Sequence, residues 1–214
     1  IAVENARLYA AQQRHAAQLK VIGEVGRQIA SILDQQELLR RVTAILAESF
    51  SYHYASIFLV DSVTGEIVLN AQAGQIGKAF ESSRFTIGRD GITGWVAGSG
   101  QALLVNDVTR EPRYKFVEEL KDTRSELAVP ILIKGQVIGV MDVQSIEQNA
   151  FDEEDLFTLQ ALAEQTAIAI ENARLYETER QARQVAEALR DSTAALTDSL
   201  DLDQVLDQIL DEVQ

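Results

Sequence analysis

The sequence predicts an α+β domain: an antiparallel sheet of about six strands flanked by helices, with long coiled-coil-type helices at both ends. The run IAVENARLY at residues 1–9 returns as IAIENARLY at residues 168–176, an offset of 167, so similar helical segments bracket one domain. After residue 49 the apolar period changes from about 3.6 to about 2, which indicates strands. The order helix, hairpin, loop-rich middle, hairpin, helix favours a sheet with helices on one face and loops on the other.

The two terminal segments are predicted to be helices that pair with a second copy of the chain. We expect helix over residues 1–48, with one break near Leu33-Asp34. Apolar or small residues recur alternately three and four apart, the 3.5-residue period of a coiled-coil seam. The predicted dimer seam consists of Ile1, Leu8, Ile22, Ile168, Leu175, Ala182 and Leu189. The alternative is an amphipathic helix that packs on its own domain.

Between these helices the sequence alternates in the way that strands require. Strands are predicted at 55–60, 66–73, 84–86, 103–105, 126–133 and 139–144. Short helices are expected at 90–97 and 116–123, and a turn at Lys134-Gly135-Gln136. Acidic residues at 152–155 open the last helix, where the helix dipole favours them. The loop-rich stretch 74–125 is the natural place for a pocket.

These patterns divide the chain into four parts. We expect a linker helix at 1–33, a globular domain at 34–165, a second linker helix at 166–200 and the first helix of a following repeat at 201–214. On this interpretation the chain is one unit of a tandem array in a longer protein.

The composition excludes several classes of function. Nineteen basic and 33 acidic residues give a net charge of −14, which repels the phosphates of nucleic acids. The absence of Cys excludes disulfides, thiol nucleophiles and thiolate metal sites. No stretch approaches the roughly 18 apolar residues of a membrane span. We expect a cytoplasmic fragment that contacts neither nucleic acid nor membrane.

Several segments resemble a GAF domain, a small-molecule-sensing module common in bacterial sensor kinases, cyclases and phosphodiesterases. The resemblance covers roughly residues 35–175 and rests on GRDGITGWVAGSGQALLVNDV (88–108), EPRY (111–114), RSELAVPILIKGQVIGVMDVQS (124–145) and FDEEDL (151–156) leading into LAEQTAIAIENARLY (162–176). It implies a six-stranded antiparallel sheet between helices, a ligand pocket under the central loops, and terminal helices that form a parallel dimer between sensor and effector.

The resemblance also allows the family's functional subclasses to be compared with this sequence. Bilin-binding photoreceptors and free methionine sulfoxide reductases both depend on Cys, so both are excluded. Of the cyclic-nucleotide signature only the acidic pair Asp152-Glu153 is present, and Gln148 stands where Phe belongs, which leaves only binding through other contacts open. His15 and His53 give no haem or metal constellation.

Eight residues are candidates for contact with a ligand. They are the aromatic residues Phe58, Phe85, Trp95 and Tyr114 and the charged residues Asp107, Arg124, Glu126 and Asp142. The rings either line a pocket for a planar ligand or fill the core. Arg124 either binds an anionic ligand group or pairs with Glu126 at the surface. Paired carboxylates can do acid–base work, but the chain has no nucleophile, phosphate-loop or zinc motif. We predict no catalytic residue and no metal site, and no cofactor is specified.

These observations predict a non-catalytic sensory module of a multi-domain bacterial signalling protein, such as a histidine kinase of a two-component system. It would bind an unidentified small molecule and relay the signal through a dimeric helical linker to an effector domain in the same full-length chain. Two alternatives stay open: a structural spacer and dimerisation domain without a ligand, and a cyclic-nucleotide-binding domain.

Overall fold

The computed structural model describes residues 22–50, 52–75 and 83–199. The chain divides into two compact units, and the first ends at Ala173. The helices are α1 (22–30), α2 (Gln35–Ser49), α3 (Gly91–Ser99) and α4 (Glu153–Ser199). The strands are β1 (Tyr54–Asp61), β2 (Glu66–Gly74), β3 (Arg84–Thr86), β4 (Leu103–Val105), β5 (Ser125–Ile133) and β6 (Gln136–Ser145).

The six strands form one antiparallel sheet in the order β3-β2-β1-β6-β5-β4. The predicted fold class is therefore confirmed. Two hairpins, β1–β2 and β5–β6, are joined in the centre of the sheet by pairing of β1 with β6. This central pairing connects segments about 85 residues apart in the sequence, and the register Ser56↔Asp142 is part of it. The fold of the sheet thus depends on a contact that no local pattern specifies.

One face of the sheet is closed by helices. The break predicted near Leu33-Asp34 is confirmed, because Asp34 caps α2 by accepting a hydrogen bond from the backbone N–H of Glu37 at 2.7 Å. The apolar side of α2 packs with alternate residues of β1, with α1 and with the first part of α4. The fully buried members of this layer include Leu38, Leu39, Ile57, Met141, Leu159 and Ile170. Its buried threonines, Thr43 and Thr166, donate to carbonyls of their own helices, and the rest of this layer is apolar and stabilises the fold by hydrophobic burial.

The other face carries a second apolar layer with α3 and the loops. Its buried members include Tyr54, Phe58, Ile67, Ile92, Val96 and Val140. Because side chains alternate along a strand, Tyr54, Ser56 and Phe58 of β1 share this face. Unlike the helical side, this side also buries charged and polar residues of β5 and β6, among them Glu126, Asp142 and Gln144.

Two local predictions differ from the structure. The helix expected at 116–123 is only a 3₁₀ turn, Glu118–Leu120. Phe116 at its predicted start is 61% exposed, and only Val117 and Leu120 pack on the apolar layer, which is too little apolar surface to anchor a longer helix. Strand β6 begins at Gln136 and not at 139. Lys134 and Gly135, with φ of 52° and 81°, form a two-residue hairpin turn, which lets Gln136 pair with Ile133.

Helix α4 belongs to both compact units. Up to Ala173 it contributes buried residues to the first unit, including Ala167 and Ile170, which lie beyond the predicted domain boundary at 165. In the second unit, the described side chains from residue 174 to 194 are all exposed. No helix within the described ranges is long and apolar enough to cross a bilayer.

Candidate functional site

A small cavity lies on the face of the sheet that carries α3 and the loops. Its volume is about 30 Å³, roughly the volume that one water molecule takes up in the liquid. Strands β1, β3, β5 and β6, the start of α3 and the segment between β4 and β5 surround it. Its lining residues are Tyr54, Ser56, Phe58, Phe85, Gly91, Ile92, Thr93, Tyr114, Lys115, Val117, Leu120, Glu126, Asp142 and Gln144.

The sheet register assembles the polar floor of this cavity. Ser56 of β1 lies opposite Asp142 of β6, and Gln144 lies between Tyr54 of β1 and Glu126 of β5. Same-face neighbours on adjacent strands are close enough for direct side-chain contact. Five residues from three strands therefore meet in one patch beneath the cavity, and none of them is adjacent to another in the sequence.

The two carboxylate oxygens of Asp142 have different surroundings. Oδ2 accepts hydrogen bonds from Ser56 Oγ at 3.2 Å and from Gln144 Nε2 at 3.0 Å. Thr123 Oγ1 in turn donates to Gln144 Oε1 at 2.8 Å, which fixes the orientation of that amide. Oδ1 is fully buried and accepts no hydrogen bond from these donors. Asp142 is only 1% exposed, so this oxygen lies away from bulk solvent.

Glu126 and Asp142 form a buried acidic pair. Burial raises the pKa of Glu126 well above its usual value, and the charge of Asp142 and a hydrogen bond to it raise that pKa further. Burial raises the pKa of Asp142 to about 6, although hydrogen bonds from Gln144, Glu126 and Ser56 favour its ionised form. The pair therefore retains a proton at pH values where exposed carboxyls are ionised.

No basic side chain compensates this pair. Within the described ranges, no Lys, Arg or His lies at ion-pair distance from Glu126 or Asp142. Lys115 lines the cavity but pairs with Asp90, with 3.5 Å between Nζ and Oδ1. Buried charges in proteins are usually paired, so an uncompensated pair in a cavity is a feature that calls for a function.

The outer wall of the cavity is a strap that consists of residues 111–117. The guanidinium carbon of Arg113 lies 4.6 Å from the ring centroid of Trp95 on α3, and Nζ of Lys115 lies 5.1 Å from the centroid of Phe85. Arg113 also pairs with Glu111 within the strap. These contacts are largely at the surface, where cation–π contacts and ion pairs are each worth about 1 kcal/mol or less.

Gly91 places the start of α3 directly against this strap. Its φ is +72°, a conformation that favours glycine, and a Cβ at this position would lie 3.3 Å from Cβ of Lys115. The strap and the start of α3 therefore lie close together at Gly91 and Lys115, in addition to the side-chain contacts described above.

Five of the eight predicted ligand residues line the cavity: Phe58, Phe85, Tyr114, Glu126 and Asp142. The other three lie elsewhere. Trp95 is partly buried beneath Arg113, and Asp107 accepts hydrogen bonds from the backbone and side chain of Thr109. Arg124 donates to the backbone carbonyls of Lys121 and Thr123. The role of all eight in binding a ligand stays a prediction.

Sequence reasoning did not single out four polar residues at the cavity: Tyr54, Ser56, Gln144 and Lys115. Ser56 stands in the otherwise apolar run Ala55–Val60, and Gln144 follows Asp142 at the next position on the same face. Polar residues at inward positions of central strands were the available signal. Its meaning depended on knowing that β1 pairs with β6.

The predicted dimer seam is only partly available on the described surface. Ile1 and Leu8 lie outside the described residues, as does His15. Ile22 is 6% exposed and is already buried within its own chain. By contrast, Ile168, Leu175 and Leu189 are 53%, 63% and 64% exposed, and Ala182 is exposed as well. Dimerisation stays a prediction, and the surface that could support it lies on α4.

The described residues contain no group of three or more His, Asp or Glu side chains that could hold a metal ion. His53 lines a wider groove between the end of α2 and the start of α4, together with Tyr52, Phe151 and Asp155. In that groove the Tyr52 hydroxyl donates to Asp155 Oδ1 at 3.0 Å.

A mixed sheet-and-helix fold with a loop-covered cavity defines a class of small sensory and regulatory domains, and comparison with known proteins identifies the family. The model of the GAF domain matches residues 32–171. The chain belongs to the GAF domain family.

Individual relatives show the range of proteins that contain this fold. GAF domain-containing protein A of Dictyostelium discoideum is 35% identical over 117 residues, which are 55% of this chain and 69% of that protein. The Nif-specific regulatory protein of Azospirillum lipoferum is 31% identical over 136 residues, 60% of this chain but only 21% of that protein. The match thus spans about a fifth of that regulator.

Among solved structures, the free methionine-R-sulfoxide reductase of Neisseria meningitidis, in complex with its substrate, is similar with a TM-score of 0.68. It is 28% identical, and the match covers 76% of this chain and 93% of that chain. The proteins that are similar to this chain therefore include both a regulatory protein and an enzyme.

We predict that the acidic pair makes stability depend on pH. A carboxyl group whose pKa is higher in the folded than in the unfolded chain binds more protons when folded, so the free energy of unfolding falls as pH rises. For Asp142 the fall runs from about pH 4 to above pH 6. Replacing Asp142 by Asn removes its contribution while keeping an oxygen acceptor for Ser56 and Gln144. Relative to wild type, the variant should gain about 3 kcal/mol between pH 4 and pH 8 in urea unfolding, since the pKa moves from 3.8 to about 6.

The matched control is Glu187→Gln, which neutralises an exposed carboxylate on α4. Its stability should follow the wild-type pH profile. If Asp142→Asn also runs parallel to wild type, the pair carries no extra proton in the folded chain.

Proposed function

We propose that this GAF domain is a non-catalytic sensory module that binds a small molecule in the cavity and passes the change to α4. It would act inside a cytoplasmic multi-domain signalling protein, with the effector domain in the same full-length chain. The observation that carries the proposal is the partly open cavity with Asp142 on its floor, whose buried Oδ1 lacks a hydrogen-bond donor among the described residues.

A domain with a purely structural role gains no stability from a cavity that contains a buried carboxylate oxygen without a donor. Leaving a buried acceptor without a donor costs about 1–3 kcal/mol, and more when it is charged. The helical side of the same sheet shows the alternative, because its central positions are filled with apolar side chains. A domain that served only as a spacer could fill both sides in that way. A polar cavity retained at a cost in stability is typical of a binding site.

The lining of the cavity argues against an anionic ligand such as a cyclic nucleotide. Glu126 and Asp142 present negative charge to any bound group, and a phosphate would be repelled in this weakly screened environment. Arg124, the candidate for an anionic group, hydrogen-bonds to two backbone carbonyls. The cyclic-nucleotide alternative is therefore the weaker one.

The non-catalytic role is supported by the chemistry of the chain. The related reductase shows that this fold can support an enzyme, but a chain without Cys has no thiol for nucleophilic or redox work. The name of the Azospirillum relative, a regulatory protein, fits the sensory role.

Helix α4 is the proposed output element. Its first part shares the apolar core with β1, β5 and β6, through residues such as Leu159 and Ile170. The same helix continues to Ser199 with exposed Leu175 and Leu189. A ligand that binds one arrangement of the core more tightly than another shifts the population between the two by that difference in affinity. We propose that a parallel dimer through α4 transmits this shift.

Ligand occupancy is tested by native mass spectrometry of gently purified protein. Wild type is expected to carry an additional mass that is lost on denaturation. Thr93→Leu, which adds volume to a residue that lines the cavity, should lose that mass. Ser99→Leu makes a similar change at an exposed position at the other end of α3 and should keep it. Apoprotein mass in all three proteins would contradict the sensory proposal and favour the structural one.

The dimer is tested by Leu175→Asp combined with Leu189→Asp. Both residues are more than half exposed and seven-residue steps apart along one line of α4, so charge at both should abolish a coiled-coil dimer. The control is Gln181→Asp combined with Ala188→Asp, which adds the same charge outside the predicted seam, about 100° around the helix from the line of Ala182 and Leu189. Sedimentation velocity should show a monomer for the first variant and a dimer for the control. A dimer in both would place the interface elsewhere.

A further inference from the structure

We propose that the ligand of this cavity carries a protonated amine, and that the ammonium group binds between Glu126 and Asp142 in exchange for the proton that they share. This inference rests on the proposed sensory function and names the chemical class of its ligand. It follows from three properties of the site: its charge, its numbers of hydrogen-bond donors and acceptors, and its size.

The charge at the site is unbalanced. Glu126 is 4% and Asp142 1% exposed, and both line the cavity. The nearest basic residues are used elsewhere: Lys115 pairs with Asp90, and Arg124 donates to backbone carbonyls. A cation placed between the two carboxylates would supply the missing charge, and buried carboxylates gain most from such a partner because screening is weak there.

The site also has more hydrogen-bond acceptors than donors, which likewise favours a cationic donor. Asp142 Oδ2 has two donors, Ser56 Oγ and Gln144 Nε2, whereas Oδ1 has none. The site therefore has acceptors in excess of donors. An ammonium group is a donor of three hydrogen bonds and accepts none, so it matches this deficit. A hydroxyl or a carboxylate ligand does not, since each brings further acceptors.

The size and walls of the cavity fit an ammonium head on a small organic body. A volume of about 30 Å³ accommodates a group about as large as a water molecule. The rings of Phe58, Phe85 and Tyr114 line the same space, and aromatic faces attract cations. The protein already shows this preference, because the ammonium of Lys115 lies 5.1 Å from the centroid of Phe85.

Any ligand larger than the head group has to displace the strap. Tyr114 and Lys115 of the strap and Leu120 just beyond it form the outer wall of the cavity. The strap is held by the stacking of Arg113 on Trp95 and by the pair between Lys115 and Asp90, both at the surface. Contacts of this kind are weak enough to open and reclose around a bound molecule. The body of the ligand would then lie under the strap, with its ammonium on the carboxyl pair.

The exchange has a balanced stoichiometry. Without ligand, one proton is shared by Glu126 and Asp142; with an ammonium bound, both carboxylates are ionised and that proton leaves to solvent. No covalent bond forms or breaks apart from the carboxyl O–H bond of the shared proton. The titratable and charged groups that surround the pair are Tyr54, Glu111, Tyr114, Lys115 and Arg124. Burial raises the pKa of both phenols, so neither competes for the exchange.

The test uses propylammonium and its uncharged counterpart 1-propanol, with binding followed by NMR chemical shifts of the sheet amides. Propylammonium should bind saturably and at least tenfold more tightly than propanol. Since one proton is released, its affinity should rise up to tenfold between about pH 6 and pH 7. Glu126→Gln should weaken it at least tenfold and remove the pH dependence. Equal affinities for amine and alcohol, or no saturable binding of the amine, would overturn the proposal.

A second variant tests whether the protein's own lysine occupies the site. Lys115→Met removes the basic residue that lines the cavity together with its pair to Asp90, so the strap opens more easily and amine affinity should rise by less than tenfold. A rise of more than tenfold would show that Lys115 is the natural occupant and would overturn the proposal.

Failure of this inference differs from failure of the sensory function. If native mass spectrometry finds a neutral or anionic molecule, the proposed sensory function stands and the proposed ammonium ligand is ruled out. If no molecule is found and the amine does not bind, both proposals fall.

Discussion

The burial of two carboxyl groups side by side on one face of the sheet is the constraint on which the rest of this structure depends. Glu126 lies on β5 and Asp142 on the neighbouring strand β6, and both side chains are almost fully buried. Burying two charges without a cation is costly, so the pair retains a proton. Ser56 and Gln144 donate to one oxygen of Asp142 and not to the other, and Thr123 orients the Gln144 amide.

The sheet divides stability and function between its two faces. The helical side is an apolar layer in which α2 and the first part of α4 cover the centre of the sheet. Its burial offsets the cost of the polar side, where α3 and the strap enclose the cavity. A domain can maintain a strained or unsatisfied site only when the remaining structure holds it in place. Here the central pairing of β1 with β6 belongs to both layers, which connects the cavity to the core beneath α4.

The sequence predicted the positions of the strands and helices better than the way in which they pair and pack. Alternation located all six strands to within a few residues, and Asp34 correctly marked the start of α2. The segment 116–123 was predicted as a short helix. Only one 3₁₀ turn forms there, and Phe116 is exposed while Val117 and Leu120 pack on the apolar layer. A short segment with so few buried apolar residues does not sustain a helix.

The candidate site shows the same limit. Glu126 and Asp142 were candidates because paired carboxylates near a pocket can do acid–base work, and Tyr114 because it is an aromatic residue in a polar loop. Ser56 and Gln144 were missed because their importance comes from the register between β1, β6 and β5, which no local pattern fixes. Trp95 was predicted to contact a ligand; its ring lies under the guanidinium of Arg113, and its role in binding stays a prediction.

The measurement that tests this account most directly is a ¹³C NMR titration of the side-chain carboxyl groups in the unliganded protein. The account predicts that the carboxyl resonance lost in Glu126→Gln titrates well above the exposed carboxyls, and that Asp142 titrates near pH 6. If both resonances titrate with the exposed carboxyls between about pH 3 and pH 5, the pair is not held as described. The cavity would then lack the unbalanced charge from which its function is inferred.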